Sequence, residues 1–113
     1  MAAKPYAIDA DKNHKNRQAV YWENLTEGDT GDAVYLGGGI YNVTAVGTFG
    51  QSAELQYSPD GTNYVSIDST NLTFSAAGTY NFEMPRGYYK PVLSGSGTTD
   101  IDFYLAPLPS DAA

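Results

Sequence analysis

Ala53-Glu54-Leu55-Gln56-Tyr57-Ser58-Pro59-Asp60-Gly61-Thr62-Asn63-Tyr64-Val65-Ser66-Ile67-Asp68 reads as a β-hairpin, and it decides the fold class. In the first arm Ala53, Leu55 and Tyr57 alternate with Glu54, Gln56 and Ser58, a period of two that sends one set to a buried sheet face and the other to water. Val65 and Ile67 against Ser66 and Asp68 repeat the pattern in the second arm. Between the arms, Ser58-Pro59-Asp60-Gly61 is turn chemistry: proline presets the first corner, aspartate suits the second, and glycine accepts positive φ as the chain re-enters the ladder.

Outward from the hairpin, short alternating runs recur on both sides. Ala19 to Thr26 predicts a first strand with Val20, Trp22 and Asn24 on one face and Tyr21, Glu23 and Leu25 on the other, so both faces need a cover. Val34 to Leu36 is a short strand, and Ile40 to Phe49 the longest, with Tyr41, Val43 and Ala45 on one face. Leu72 to Phe74 and Thr79 to Met84 follow, the latter with Tyr80, Phe82 and Met84 inward. Tyr88 to Ser94 and Thr99 to Leu105 form the last pair. Eight or nine short strands, punctuated by twelve glycines, predict an all-β antiparallel β-sandwich of jelly-roll or Greek-key type.

The 113 residues suffice for one core. Residues 1–18 show neither helical nor strand period and predict an extended N-terminal arm; residues 19–106 form the sandwich domain, and residues 107–113 a surface tail. Lys4, Lys12, Lys15 and Arg17 against Asp9 and Asp11 leave the arm at +2, whereas Arg86 and Lys90 against eleven acids leave the rest at −9. Nucleic acid is an unsuitable partner for such a body, because phosphate binding needs a concentrated positive footprint. A basic tail on an acidic body reads either as a docking tail or as a solvated terminus. No cysteine is present, no apolar run is long enough for a membrane span, and no leader-like segment opens the chain. These features predict a protein made in the cytoplasm, without disulfides.

Catalytic chemistry is poorly served. The only histidine, His14, falls in the arm, which leaves no base for a nucleophilic triad. Glu54 and Glu83 are glycosidase carboxylates by type only, since both occupy wet strand positions. One histidine without cysteine makes a poor zinc site. Gly37-Gly38-Gly39 lacks the lysine and helix of a phosphate-binding loop. Glu27, Asp29 and Asp32 read as a solvated turn, with calcium as the alternative. The expectation is therefore a protein that is not an enzyme and holds no cofactor or metal. Trp22, Tyr35, Tyr64, Tyr88 and Tyr104 supply either interface aromatics or a sugar-stacking platform.

The hairpin, followed by Ala77-Gly78 and by Tyr80-Asn81-Phe82-Glu83-Met84-Pro85-Arg86-Gly87-Tyr88-Tyr89, resembles small β-rich virion proteins of tailed bacteriophages over about residues 33 to 106. The shared pattern is a strand, a Ser-Pro-Asp-Gly turn, a second strand, then a strand ending in Pro-x-Gly before an aromatic. The resemblance implies a capsid decoration, or cement, protein on the outer surface of the virion, whose partners are the major capsid protein and further copies of itself, a trimer being favoured. Within that reading Lys4, Tyr6, Lys12, Lys15, Arg17, Tyr21 and Trp22 are the expected partner-binding residues of the arm and its junction. The alternative is a carbohydrate- or receptor-binding module of a head fibre or tail appendage.

Overall fold

The structure is a computed structural model describing residues 3–8, 18–26, 29–50, 52–94 and 98–108. These residues are all-β. In chain order the strands are β1 (Ala3–Lys4), β2 (Ala7–Ile8), β3 (Val20–Thr26), β4 (Thr30–Gly31), β5 (Val34–Leu36), β6 (Gly39–Thr48), β7 (Ser52–Ser58), β8 (Val65–Ser66), β9 (Thr73–Phe74), β10 (Gly78–Met84), β11 (Gly87–Ser94) and β12 (Asp100–Pro107). One sheet has the order β1-β4-β11-β7-β8, with β5 following β4 along β11 and β9 following β8 along β7; the other has the order β10-β6-β12-β3-β2. Every pairing is antiparallel except the two-residue ladder of β1 on β4.

The inner faces close on one core, in which Trp22, Tyr41, Phe103 and Ile101 from one sheet meet Leu36, Leu55, Tyr89 and Phe74 from the other. Burial alternates without a break along β11 and β12, and in the middle of β6, where Tyr41, Val43 and Ala45 are fully buried. Two of the chain crossings between the sheets are held by tyrosine hydroxyls. Tyr41 donates to the Gly37 carbonyl (2.9 Å) where β5 passes to β6, Tyr89 donates to the Pro85 carbonyl where β10 passes to β11, and Tyr57 donates to the Arg86 carbonyl (2.9 Å). The Pro-x-Gly-aromatic signature thus has a mechanical meaning. It is a corner whose carbonyls would otherwise lack partners, and where a Cβ on Gly87 would come within 2.4 Å of the Tyr57 ring.

Pro91 shapes the neighbouring strand. It has no N–H to give and sits mid-strand in β11, opposite the gap between β4 and β5. Gly31 supplies the clearance, since a Cβ there would lie 2.6 Å from the Pro91 ring and 2.7 Å from the Trp22 ring. The unpaired stretch leaves the Asp32 carbonyl free for the Trp22 indole N–H at 3.1 Å. Asp29 is buried, its carboxylate accepting the Thr26 N–H (2.7 Å) and hydroxyl (2.9 Å), so it clamps its turn and is not the solvated residue expected.

Four further expectations change. In β3 the pattern predicts Leu25 opposite in face to Trp22, yet both are fully buried. Asn24 has φ 58°, and Glu23 and Asn24 together oppose Asp102 alone, a β-bulge that shifts the alternation by one residue. The Asp102 carboxylate accepts the displaced Asn24 N–H at 3.0 Å. The hairpin forms with Gln56 opposite Ser66 and Tyr57 opposite Val65, but its second arm ends after two residues and leaves Val65 58% exposed. The chain then turns twice by the same device. Asp60 accepts the N–H groups of Thr62 and Asn63, Asp68 accepts those of Thr70 and Asn71, and in each turn the asparagine amide donates back to the aspartate.

At the C-terminal end β12 continues through Pro107, which pairs with Tyr41, and Leu108 N–H donates to the Ile40 carbonyl at 2.9 Å. Proline is tolerated there because β3, the strand on the other side of β12, has already ended opposite Leu105. At the N-terminal end residues 3–8 do not project. They run along the edge of their own sandwich, giving β1 to one sheet and β2 to the other.

Candidate interaction surfaces

Two outer faces carry side chains suited to recognition. On the face of the β10-β6-β12-β3-β2 sheet, Tyr104 pairs with Thr44 on one side and Tyr21 on the other, and Ala106 pairs with Asn42. The Tyr21 and Tyr104 rings stack at 5.7 Å with 24° between planes. Two residues on, Ala106 offers only a methyl group, so a depression of about 350 Å³ opens beside the stacked rings, bounded by Ala19, Asn42 and Thr44. Asn42 and Thr44 are held by a polar ladder: the Asn42 amide donates to Thr79 (2.7 Å) and Asn81 (2.8 Å), and the Thr44 hydroxyl donates to the Asn42 carbonyl oxygen (2.6 Å). Burial, then the carboxylates of Asp102 and Glu23, raise the pKa of the Tyr104 hydroxyl.

The N-terminal segment builds a second depression of about 250 Å³ next to the first, lined by Pro5, Tyr6 and Ala7 together with Tyr21, Glu23 and Asn24. Tyr21 is the wall the two share. Tyr6 reaches inward from this rim to meet Trp22 edge-on at 6.4 Å while remaining 37% exposed.

Of the expected partner-binding residues, the structure therefore brings Tyr6 and Tyr21 together at one surface. Lys4 is placed by the backbone of β1, opposite Gly31. Lys12, Lys15 and Arg17 lie outside the described residues. Trp22 is a correction: it is 0% exposed, covered by Tyr6 and Phe103 within its own chain, and so is core and not a contact for a partner or a sugar. Asn42, Thr44 and Ala106 were not singled out by the sequence reading. Strand alternation puts each of them outward, but that β12 lies between β3 and β6 follows only from long-range pairing.

The opposite face, on the β11-centred sheet, gathers three of the remaining candidate platform aromatics. Tyr35, 51% exposed, meets Tyr88 edge-on at 5.1 Å, and the Asp60 turn covers Tyr88, a Cβ at Gly61 coming 3.2 Å from its ring. The Lys90 ammonium sits 4.2 Å from the centre of the Tyr64 ring. Burial, then Tyr88 and Asp60, raise the Tyr64 pKa. Tyr104 belongs to the other face.

Both surfaces present rings, hydroxyls and amides. Among the described residues no group of three or more His, Asp or Glu side chains is placed to hold a metal ion, and no helix is long and apolar enough to cross a membrane. Comparison with known proteins finds no matching family model, no matching curated protein and no matching solved structure.

Proposed function

We propose that this chain is a structural virion protein, a decoration protein that binds the outside of a bacteriophage head and stabilises contacts between major capsid proteins. The observation that carries the reading is the shared Tyr21 wall. It makes one continuous surface from the body's aromatic depression and the start of the N-terminal segment, whose first 18 residues carry +2 against −9 elsewhere. A segment joined to a body surface multiplies weak contacts into strong attachment. Lys4, Tyr6, Lys12, Lys15, Arg17 and Tyr21 are the residues assigned to the capsid, with a trimer carried over from the resemblance.

Strand order supports the architecture the reading needs. The orders β3-β12-β6-β10 and β5-β11-β7-β9 within two packed antiparallel sheets favour the jelly-roll form of the sandwich, an arrangement used by viral capsid and lectin domains. The test is co-sedimentation with heads of the cognate major capsid protein. Saturable binding weakened by Tyr21→Ala supports decoration; no binding by the full chain overturns it. A second reading, a glycan- or receptor-binding module of a fibre or tail appendage, draws on the Tyr35, Tyr88 and Tyr64 face. It requires glycan binding that Tyr35→Ala abolishes.

A further inference from the structure

Strand β10 is an edge left open. Of the strands at the margins of the two sheets, β1, β2, β8 and β9 are two residues long and β5 three, whereas β10 runs for seven and pairs only with β6. Natural sheets protect long edges with proline, lysine, a bulge or a cover. The stretch Gly78-Thr79-Tyr80-Asn81-Phe82-Glu83-Met84 has neither proline nor lysine, and its register with β6 is unbroken over seven consecutive pairs. Among the described residues nothing pairs with its outer side. The same margin leaves apolar surface in water: Tyr80 is 36% exposed and lies 6.3 Å from the half-buried Phe82.

The occupant is written in the sequence of the strand, which is palindromic in character about Asn81. If a second β10 is laid antiparallel on the first with Asn81 at the two-fold axis, Tyr80 faces Phe82 of the partner subunit and Phe82 faces Tyr80 of the partner subunit. Thr79 then faces Glu83 of the partner subunit, so the only charge in the strand meets a hydroxyl and no like charge. At the axis the two asparagines meet. The Asn81 carbonyl oxygen already accepts from Asn42, while its amide donates to no group among the described residues and is free to donate across the axis.

We infer that β10 is the contact between two copies of this chain, which join edge to edge into one continuous ten-stranded sheet across a two-fold axis. Such a contact is isologous and consumes the edge that makes it, so it stops at two. It stands whether or not the chain binds capsids, and it adds a two-fold link to any threefold contact made elsewhere on the body.

Sedimentation equilibrium over a concentration series tests it. The expected result is reversible association of the 12.1 kDa chain with a dimer as its first step. Tyr80→Lys removes an aromatic pair on each side of the axis, and Asn81→Asp sets two carboxylates opposite each other. Each is expected to weaken the dimer about tenfold or more with the circular dichroism spectrum unchanged, and the Asn81→Asp loss is expected to reverse when the pH is lowered enough to protonate the carboxylates. Because the chain has no cysteine, register is read directly: Asn81→Cys cross-links to itself under mild oxidation, while Glu83→Cys does not. A monomer at every concentration, or an association untouched by both substitutions, would overturn the inference.

Discussion

Replacing Trp22 by alanine isolates what holds the sandwich together. The side chain is fully buried between the sheets, packs edge-on against Phe103 and Tyr6 (6.4 Å each), and donates its indole N–H to the Asp32 carbonyl that Pro91 leaves unpaired. Truncating a buried tryptophan to alanine costs about 3–5 kcal/mol in lost transfer energy and residual cavity. The freed Asp32 carbonyl lies in an exposed residue, where water can replace the lost donor, so the hydrogen bond adds only about 1 kcal/mol. Against a total stability of about 6–15 kcal/mol for a chain of this size, Trp22→Ala should remove about a quarter or more, and Trp22→Phe about 1–2 kcal/mol. Urea denaturation followed by far-ultraviolet circular dichroism measures both. A cost below about 1 kcal/mol for Trp22→Ala would refute the placement of the indole in the core. The same numbers mean that any loss of binding by Trp22→Ala reports lost folding, so binding has to be tested at Tyr21 or Tyr35.

The β3 bulge predicts that Asn24→Val costs about 1–2 kcal/mol in urea denaturation, because a β-branched residue is strained at φ 58°, whereas Asn24→Gly is close to neutral. Hydrogen bonds from Asn63, Thr62 and Ser58 hold the Asp60 carboxyl well below its ordinary pKa of 3.8, and bonds from Asn71 lower that of Asp68. For groups depressed in the folded state the stabilisation is complete above the unfolded pKa and is lost as pH falls beneath it. Thermal stability should therefore decline as the solution is acidified below about pH 4, and less steeply in the Asp60→Asn, Asp68→Asn double variant. Burial, then Tyr57 and Tyr41, push the Tyr89 pKa far above the ordinary 10.0, so its contribution is present below that pH and is lost as pH rises. Ultraviolet titration should find tyrosine ionisation that appears only on alkaline unfolding, and Tyr89→Phe should reduce its amplitude.

How much of this was legible in the chain depends on the range of the physics involved. The alternations of Tyr41, Val43 and Ala45 and of Ile101, Phe103 and Leu105 are local, and all six residues are buried as the period of two requires. The β3 bulge was not legible, because its cause is Asp102, 78 residues away, accepting the Asn24 N–H. The short second arm of the hairpin does have a local signal: Asp60-Gly61-Thr62-Asn63, in the turn that opens the arm, recurs eight residues later as Asp68-Ser69-Thr70-Asn71, a second turn of the same kind that closes it. Trp22 carried no mark separating core from interface, since either role suits a tryptophan on a strand. Both aromatic surfaces depend on which strands become neighbours. Tyr21 with Tyr104 and Tyr35 with Tyr88 are cross-strand pairs made by residues far apart in the chain.

The claim at the centre of the account is that Tyr21 and the adjoining N-terminal segment form a surface for the outside of a phage head. The most direct test is quantitative co-sedimentation of the full chain with cognate heads, compared with Tyr21→Ala and with Tyr35→Ala on the opposite face. Saturable binding is expected, reduced about tenfold or more by Tyr21→Ala and unchanged by Tyr35→Ala. Absence of binding, or binding sensitive to Tyr35 and indifferent to Tyr21, would contradict it.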